Sequence, residues 1–148
     1  IKPTIDGLKK ENIPYRGFIF IGLMNVDGEP YVIEYNARMG DPETQVVMTR
    51  IADDFLPLLV AASQKQLAGK TIRHAPHTSL TVALVSGGYP GDYKKGFAIT
   101  GLESAKTAIV FHAGTKTNGG LITTDGGRVL TITGQGATLE EARKNAYQ

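Results

Sequence analysis

Two side chains with oxygen donors, Glu34 and Asn36, stand two residues apart in an apolar stretch of the sequence. Side chains of a β-strand alternate between its faces, so Val32, Glu34 and Asn36 are predicted to share one face. Burying a carboxylate is costly unless something compensates its charge, and adjacent oxygen ligands suit a hard cation such as Mg²⁺. A structural interpretation stays open, in which Glu34 pairs with an arginine and Asn36 caps the following loop.

The residues that follow this pair suit an anion. Arg38 could clamp a phosphate that the metal carries. Gly40 permits a sharp turn, and Asp41 followed by Pro42 predicts a helix cap with proline at the first helical position. Glu43 follows within the first turn of that helix. The free N–H groups at the start of the helix favour an anion nearby.

The second half of the sequence holds a glycine-rich loop at residues 87–93, which begins Gly87, Gly88, Tyr89, Pro90. Such a loop can present backbone N–H groups to a phosphate, although the same residues also make ordinary turns. Lys116 is either a second phosphate contact or a solvated cation at the end of a strand. Both interpretations of each feature stay open from the residues alone.

The elements that must position these residues indicate an α+β fold with antiparallel sheets. Residues 17–26 and 31–36 are predicted as a hairpin around an Asp27–Gly28 turn. Because its strands are apolar on both alternations, both faces are expected to be covered in the parent protein, partly by chain that is absent here. Helices are predicted at 3–12, 42–50, 55–67 and from 138 onwards, and further strands at 79–85, 107–113, 121–124 and 128–133, with a hairpin turn at 125–127.

Composition excludes several classes of protein. Sixteen lysines and arginines against 14 acidic residues leave a net charge of +2, which argues against a nucleic-acid partner. The sequence has no cysteine and no apolar run near the roughly 20 residues of a membrane span, and its first residues lack the apolar stretch of a signal peptide. No membrane partner is therefore expected, and a cytoplasmic location is predicted. Both ends of the chain are expected to be cut from something longer.

Residues 34–46 read EYNARMGDPETQV, which resembles the signature of glycinamide ribonucleotide synthetases, the phosphoribosylamine–glycine ligases of the ATP-grasp superfamily. Met39 stands where that family usually has Phe or Leu. The resemblance continues through residues 15–18, 22–24, 87–93, 111–116 and 126–130, nearly the whole chain in order. It implies that residues 1–72 are the C-terminal portion of an ATP-grasp domain and residues 73–148 the small C-terminal domain, truncated at its last helix.

The resemblance also implies chemistry. ATP and Mg²⁺ or Mn²⁺ would be required to join glycine to 5-phosphoribosylamine through a glycyl phosphate, in de novo purine biosynthesis. Glu34 and Asn36 would hold the metal, Arg38 would be catalytic, and the substrate-binding residues would be Gly40, Asp41, Pro42, Glu43, Gly87, Gly88, Tyr89, Pro90 and Lys116. The chain alone is expected to be inactive, since the family's nucleotide-binding lid lies outside it.

Two other functions remain open from the sequence. The glycine-rich loops could belong to a non-catalytic anion-binding or interaction module, which would not depend on a divalent cation. Another ATP-grasp ligase for glycine-like acids is a third possibility, disfavoured by residues 40–43. We also expect the isolated chain to associate with itself through the apolar sheet that contains Phe18, Phe20 and Ile33.

Overall fold

The computed structural model describes residues 1–148 and has a mixed α/β fold with antiparallel sheets and four α-helices. This confirms the predicted fold class. No helix is long and apolar enough to cross a membrane. In chain order the elements are α1 (Lys2–Lys10), β1 (Phe20–Val26), β2 (Glu29–Asn36), α2 (Glu43–Thr49), α3 (Leu56–Ser63), β3 (Thr78–Val85), a 3₁₀ helix (Leu102–Ser104), β4 (Ala108–His112), β5 (Thr115–Asn118), β6 (Leu121–Thr124), β7 (Arg128–Gly136) and α4 (Leu139–Tyr147).

The chain forms two compact units. The first comprises Ile1–Gly40 and Ala52–Arg73, and the second comprises Asp41–Ile51 and His74–Gln148. The segment that carries α2 therefore groups with the residues after Arg73, whereas the sequence analysis placed it before the boundary at 72/73. The boundary between the domains themselves stays a prediction.

In the first unit, β1 and β2 form the predicted antiparallel hairpin. Asp27 and Gly28 occupy its turn with φ of 52° and 91°, the backbone conformation that a tight hairpin turn needs. The register is irregular, because Gly22 pairs with Glu34 while the next residue, Leu23, pairs with Val32. Ile33 is therefore an extra residue in β2, a β-bulge.

The bulge corrects one prediction about the faces of β2. Cross-strand partners share a face and neighbouring residues alternate, so Val32, opposite Leu23, faces away from Glu34, opposite Gly22. Glu34 and Asn36 keep their common face because the register is regular from Phe20 to Gly22, their partners on β1. Strict alternation, as used on the sequence, cannot anticipate an inserted residue.

The hairpin exposes apolar side chains in this chain, as expected if part of its cover lies outside these residues. Ile33 is 63% exposed and Tyr31 60% exposed, and Leu23 is half-exposed on β1. Glu34 is exposed as well. The prediction that Glu34 is a buried carboxylate in need of compensation is therefore wrong for this chain, because its side chain is in contact with solvent.

The second unit contains a three-stranded sheet in the order β3-β7-β4 and a separate two-stranded sheet of β5 and β6. The predicted hairpin turn at 125–127 is wrong, because β6 pairs with β5 through the Gly119–Gly120 turn and not with β7. Gly126 instead lies against Gly114, where a Cβ on either residue would come within 2.8 Å of the other's Cα. Residues 125–127 lead the chain from β6, past that backbone contact, into β7 of the three-stranded sheet.

Helix α4 packs directly on β7. A Cβ on Gly134 would lie 2.1 Å from the main-chain oxygen of Ala142 and 2.5 Å from the nitrogen of Ala146, so the sheet and helix backbones nearly touch. Ala142 and Ala146 are buried. The predicted cap is present, since the Thr138 hydroxyl accepts from the Glu141 N–H at 3.2 Å.

The face of β7 opposite α4 is partly polar, since side chains alternate along the strand and Gly134 faces the helix. Thr131 and Thr133 of β7 are its largest wholly enclosed side chains. The Thr133 hydroxyl lies 2.8 Å from the Thr81 hydroxyl, and the two residues are direct partners across β3 and β7. This contact supplies the hydrogen bond that a buried hydroxyl requires.

Candidate functional site

The oxygen donors of β2 lie side by side. Asn36 Nδ2 donates to Glu34 Oε1 at 3.2 Å, which leaves the Asn36 amide oxygen and the second Glu34 carboxylate oxygen pointing away from that bond. The cross-strand partner of Glu34 is Gly22, on which a Cβ would lie 2.9 Å from Glu34 Cγ. The glutamate side chain therefore rests on a position kept free of any side chain.

This donor pair fits a hard divalent cation. A carboxylate and an amide oxygen on one strand face are the ligand types that Mg²⁺ takes, with water and substrate phosphates completing its octahedron. No group of three or more histidine, cysteine, aspartate or glutamate side chains is placed to hold a metal.

Arg38 lies past the end of β2 and its side chain turns back onto the chain. Its Nη1 donates to the main-chain oxygen of Met39 at 2.8 Å. Gly40, which follows, is buried. The structure thus holds the guanidinium locally, by a single bond to a neutral acceptor.

The predicted helix cap at Asp41 is wrong, because the Asp41 side chain does not cap α2. The helix begins at Glu43 with Pro42 at the cap position and without a side-chain cap bond, and the peptide bond between Asp41 and Pro42 is cis. The Asp41 carboxylate is engaged elsewhere, since Oδ1 accepts from Gln45 Nε2 at 3.4 Å and Oδ2 from Arg128 Nη1 at 3.2 Å. These bonds turn the side chain away from the helix N–H groups.

The loop at 87–93 is held at its glycines. Gly88 has φ of 102°, and a Cβ there would lie 2.1 Å from the main-chain oxygen of Asp92, so only glycine fits. The Tyr89 N–H donates to Ser86 O at 3.0 Å and is therefore already used. Tyr89 precedes the cis bond to Pro90, and its ring meets that of Tyr93 edge-on with centroids 6.2 Å apart.

Lys116 lies on β5, a strand that the sequence analysis did not predict. Its Nζ is 3.5 Å from Asp125 Oδ1, and Lys95 Nζ is 3.6 Å from the same oxygen. All three side chains are well exposed. Lys116 thus has a carboxylate partner within the chain, and a phosphate would have to compete with it.

Arg128 is a functional candidate that no sequence pattern singled out. Its Nη1 donates to the main-chain oxygen of Asp41 at 2.6 Å as well as to the carboxylate. Tyr89 and the hydrogen-bonded Asp41 carboxylate raise the pKa of the Arg128 guanidinium above its ordinary value. Its only sequence signal was its place after two glycines at the start of a strand, in a stretch that the family resemblance includes.

Comparison with known proteins gives a consistent match along the chain. The model of the phosphoribosylglycinamide synthetase ATP-grasp (A) domain matches residues 1–44, and that of the phosphoribosylglycinamide synthetase C domain matches residues 79–148. The first match includes Glu34, Asn36, Arg38 and Asp41, and the second includes Tyr89, Lys116 and Arg128.

Individual relatives agree. The phosphoribosylamine–glycine ligase of Mesorhizobium japonicum is 48% identical over 99% of this chain and 35% of its own length. That of Caldanaerobacter subterraneus is 44% identical over 100% of this chain and 36% of its own length. The crystal structure of phosphoribosylamine–glycine ligase from Thermotoga maritima superposes with a TM-score of 0.80 at 39% identity, covering 97% of this chain and 36% of that one.

The chain spans a little over a third of the length of these relatives. Within that span the two domain matches follow each other in one order, and the sequence and structural similarities cover the same residues. The chain therefore belongs to the phosphoribosylglycinamide synthetase family.

Proposed function

We propose that this chain is part of an ATP-dependent ligase that joins glycine to 5-phosphoribosylamine, giving glycinamide ribonucleotide, ADP and phosphate in cytoplasmic purine biosynthesis. The observation that carries the proposal is the Glu34–Asn36 oxygen pair, which lies within the stretch matched by the ATP-grasp domain model. The names of the relatives, all phosphoribosylamine–glycine ligases in the bacterial cases cited, support the same substrates.

The proposed reaction has two steps. A carboxylate oxygen of glycine attacks the γ-phosphorus of ATP, the bond to ADP breaks, and glycyl phosphate forms. The amine of 5-phosphoribosylamine then attacks the carbonyl carbon, phosphate leaves, and the amine loses a proton. The attacking amine is nucleophilic when unprotonated, so no side chain has to act as a general base.

Glu34 and Asn36 would hold Mg²⁺ or Mn²⁺, whose role when bound is to neutralise charge on the ATP phosphates during transfer. Arg38 would stabilise the transferring phosphoryl group or the glycine carboxylate once its bond to Met39 O is exchanged for one to the anion. The turn of Gly40, Asp41, Pro42 and Glu43 would line the pocket for glycine and the amine.

The second unit would contribute the loop that starts at Gly87 and Gly88. Its remaining N–H groups, with the Tyr89–Pro90 corner, would face the ribose phosphate. Lys116 would contribute a positive charge there, reduced by its contact with Asp125. We further propose that residues 1–72 and 73–148 correspond to the two domains that the family resemblance implies.

The test is to assay the intact protein for ATP-dependent glycinamide ribonucleotide formation, with glycine and 5-phosphoribosylamine each omitted in turn. Product that requires both substrates and a divalent cation supports the ligase. ADP release that needs a different amino acid would indicate another ATP-grasp ligase. Anion binding without turnover and without cation dependence would indicate a non-catalytic module and would contradict the proposal.

A further inference from the structure

We propose that Arg128 is a positioning residue that fixes the turn at Asp41, beside the loop at Tyr89, in one arrangement for substrate binding. The inference rests on the proposed function, since it assigns both segments to the glycine and phosphoribosylamine pocket. All three residues lie in the second compact unit.

The contact with Asp41 holds main chain as well as side chain. Arg128 Nη1 lies 2.6 Å from Asp41 O and 3.2 Å from Asp41 Oδ2. A bond to a main-chain oxygen fixes the course of the turn itself, whereas a bond to a carboxylate alone fixes one rotatable side chain. With Gln45 on Oδ1, both carboxylate oxygens of Asp41 have partners within the chain.

The contact with Tyr89 comes from the residue just before the arginine. A Cβ on Gly127 would lie 2.1 Å from Cδ2 of the Tyr89 ring, so the ring lies flush on the main chain there. Gly127 O also accepts from the Ser86 N–H at 2.7 Å, and Ser86 Oγ donates to Gly126 O at 2.8 Å. The start of the 87–93 loop is thus bound to the chain that leads into Arg128.

This arrangement differs from an ordinary surface ion pair. Arg143 and Glu140 are 2.7 Å apart on successive turns of α4 and restrain only each other. Arg128 joins the start of β7 to a residue 87 positions away in sequence. Because its side chain is 41% exposed, the pair adds little to stability, and its effect should lie in geometry.

The experiment uses the intact ligase with Arg128→Gln, and Arg143→Gln as the matched control. We expect kcat/KM for 5-phosphoribosylamine or glycine to fall about 10- to 100-fold, since small displacements of binding groups have effects of that size. The KM for ATP and the melting temperature should stay near those of the unsubstituted enzyme. Arg128→Lys, which keeps the charge but loses the planar fork, should recover part of the activity.

A double substitution separates positioning from direct contact. If Arg128 acts through Asp41, then Arg128→Gln added to Asp41→Ala should lower kcat/KM by less than it does alone. Asp41→Ala leaves the main-chain contact in place, so the second loss should be reduced but not abolished. Fully additive losses would show that the guanidinium and the Asp41 carboxylate are not coupled and would overturn the proposal. So would an unchanged kcat/KM for both glycine and 5-phosphoribosylamine in Arg128→Gln, or an equal loss of ATP affinity. An unsubstituted enzyme and an Arg143→Gln control that both lack ligase activity would overturn the proposed function instead, and this inference with it.

Discussion

A Cβ atom on Gly22 would lie 2.9 Å from Cγ of Glu34, its partner across the hairpin. That distance is too short for two unbonded carbons, so the glutamate occupies space that any other residue would fill. Gly22 is absent from the glycines with positive φ. Glycine is therefore required at position 22 because of the Glu34 side chain and not because of its own backbone conformation.

Gly22→Ala in the intact ligase should displace the Glu34 carboxylate without unfolding the strand. We expect activity at limiting Mg²⁺ to fall by about tenfold or more, with partial recovery at high Mg²⁺, because a metal ligand is misplaced but not removed. Steady-state kinetics across a Mg²⁺ titration measure this. Gly7→Ala, at a helical glycine with open space around it, is the control, and an unaltered Mg²⁺ dependence in Gly22→Ala would contradict the prediction.

Glu34→Ala should abolish turnover of the intact ligase while leaving its fold unchanged, because an exposed side chain is removed together with a metal ligand. Asn36→Asp should be milder, since it keeps an oxygen donor. Glu29→Ala, on the same strand at its exposed end, should retain activity. Activity of Glu34→Ala within about tenfold of the unsubstituted enzyme would refute the metal assignment.

Gly134→Ala should destabilise the second unit. Its methyl group would meet main-chain atoms of α4 at 2.1 and 2.5 Å, and backbone cannot move aside as a flexible side chain can. We expect a loss of about 2 kcal/mol or more in unfolding free energy, measured by urea denaturation of the 148-residue chain. Gly7→Ala in α1 should instead be neutral or stabilising by up to about 1 kcal/mol, and equal behaviour of the two variants would count against the close packing.

The isolated 148-residue chain should associate with itself through the hairpin. Burying about 200 Å² of its exposed apolar surface would contribute roughly 5 kcal/mol. Ile33→Lys should weaken the association seen by sedimentation velocity, whereas Leu139→Lys, at a leucine 61% exposed on α4, should not. A monomer at high concentration, with no binding of a dye for apolar surface, would show that the hairpin needs no cover.

The isolated chain should neither hydrolyse ATP nor bind it measurably. It spans about 35% of the length of its relatives, and the family resemblance places the nucleotide-binding lid outside that part. Isothermal titration with ATP, with and without Mg²⁺, is the measurement. Tight Mg²⁺-dependent binding would mean that the nucleotide site has been misplaced.

Local chemistry explains which elements could be predicted from the sequence. The Asp27–Gly28 turn and the Thr138 cap are determined by residues within a few positions, and both elements form where the sequence indicates. The β5–β6 hairpin was missed although its signal is local, since Gly119 and Gly120, with φ of 56° and 82°, form the two-residue turn between the paired Asn118 and Leu121. The close approach of Gly114 and Gly126 could not be predicted, because no local pattern brings their backbones together.

The same distinction holds at the candidate site. Glu34 and Asn36 are neighbours on one strand, so their proximity followed from a two-residue period. The bulge at Ile33 places Val32 on the opposite face from the predicted one, because one inserted residue changes the face of every residue beyond it. Arg128 could not be linked to Asp41, since no local pattern connects residues 87 positions apart.

The hydrogen bond between Thr81 and Thr133 also selects one alignment of two strands. A slip of β3 by one residue would turn Thr81 to the opposite face and leave the enclosed Thr133 hydroxyl without its partner. Valine at both positions would bury a comparable volume. The same slip would then leave no buried hydroxyl without a partner, so its free-energy cost would be lower. The paired hydroxyls inside this sheet therefore raise the free energy of misaligned strand pairings, which an entirely apolar core would tolerate.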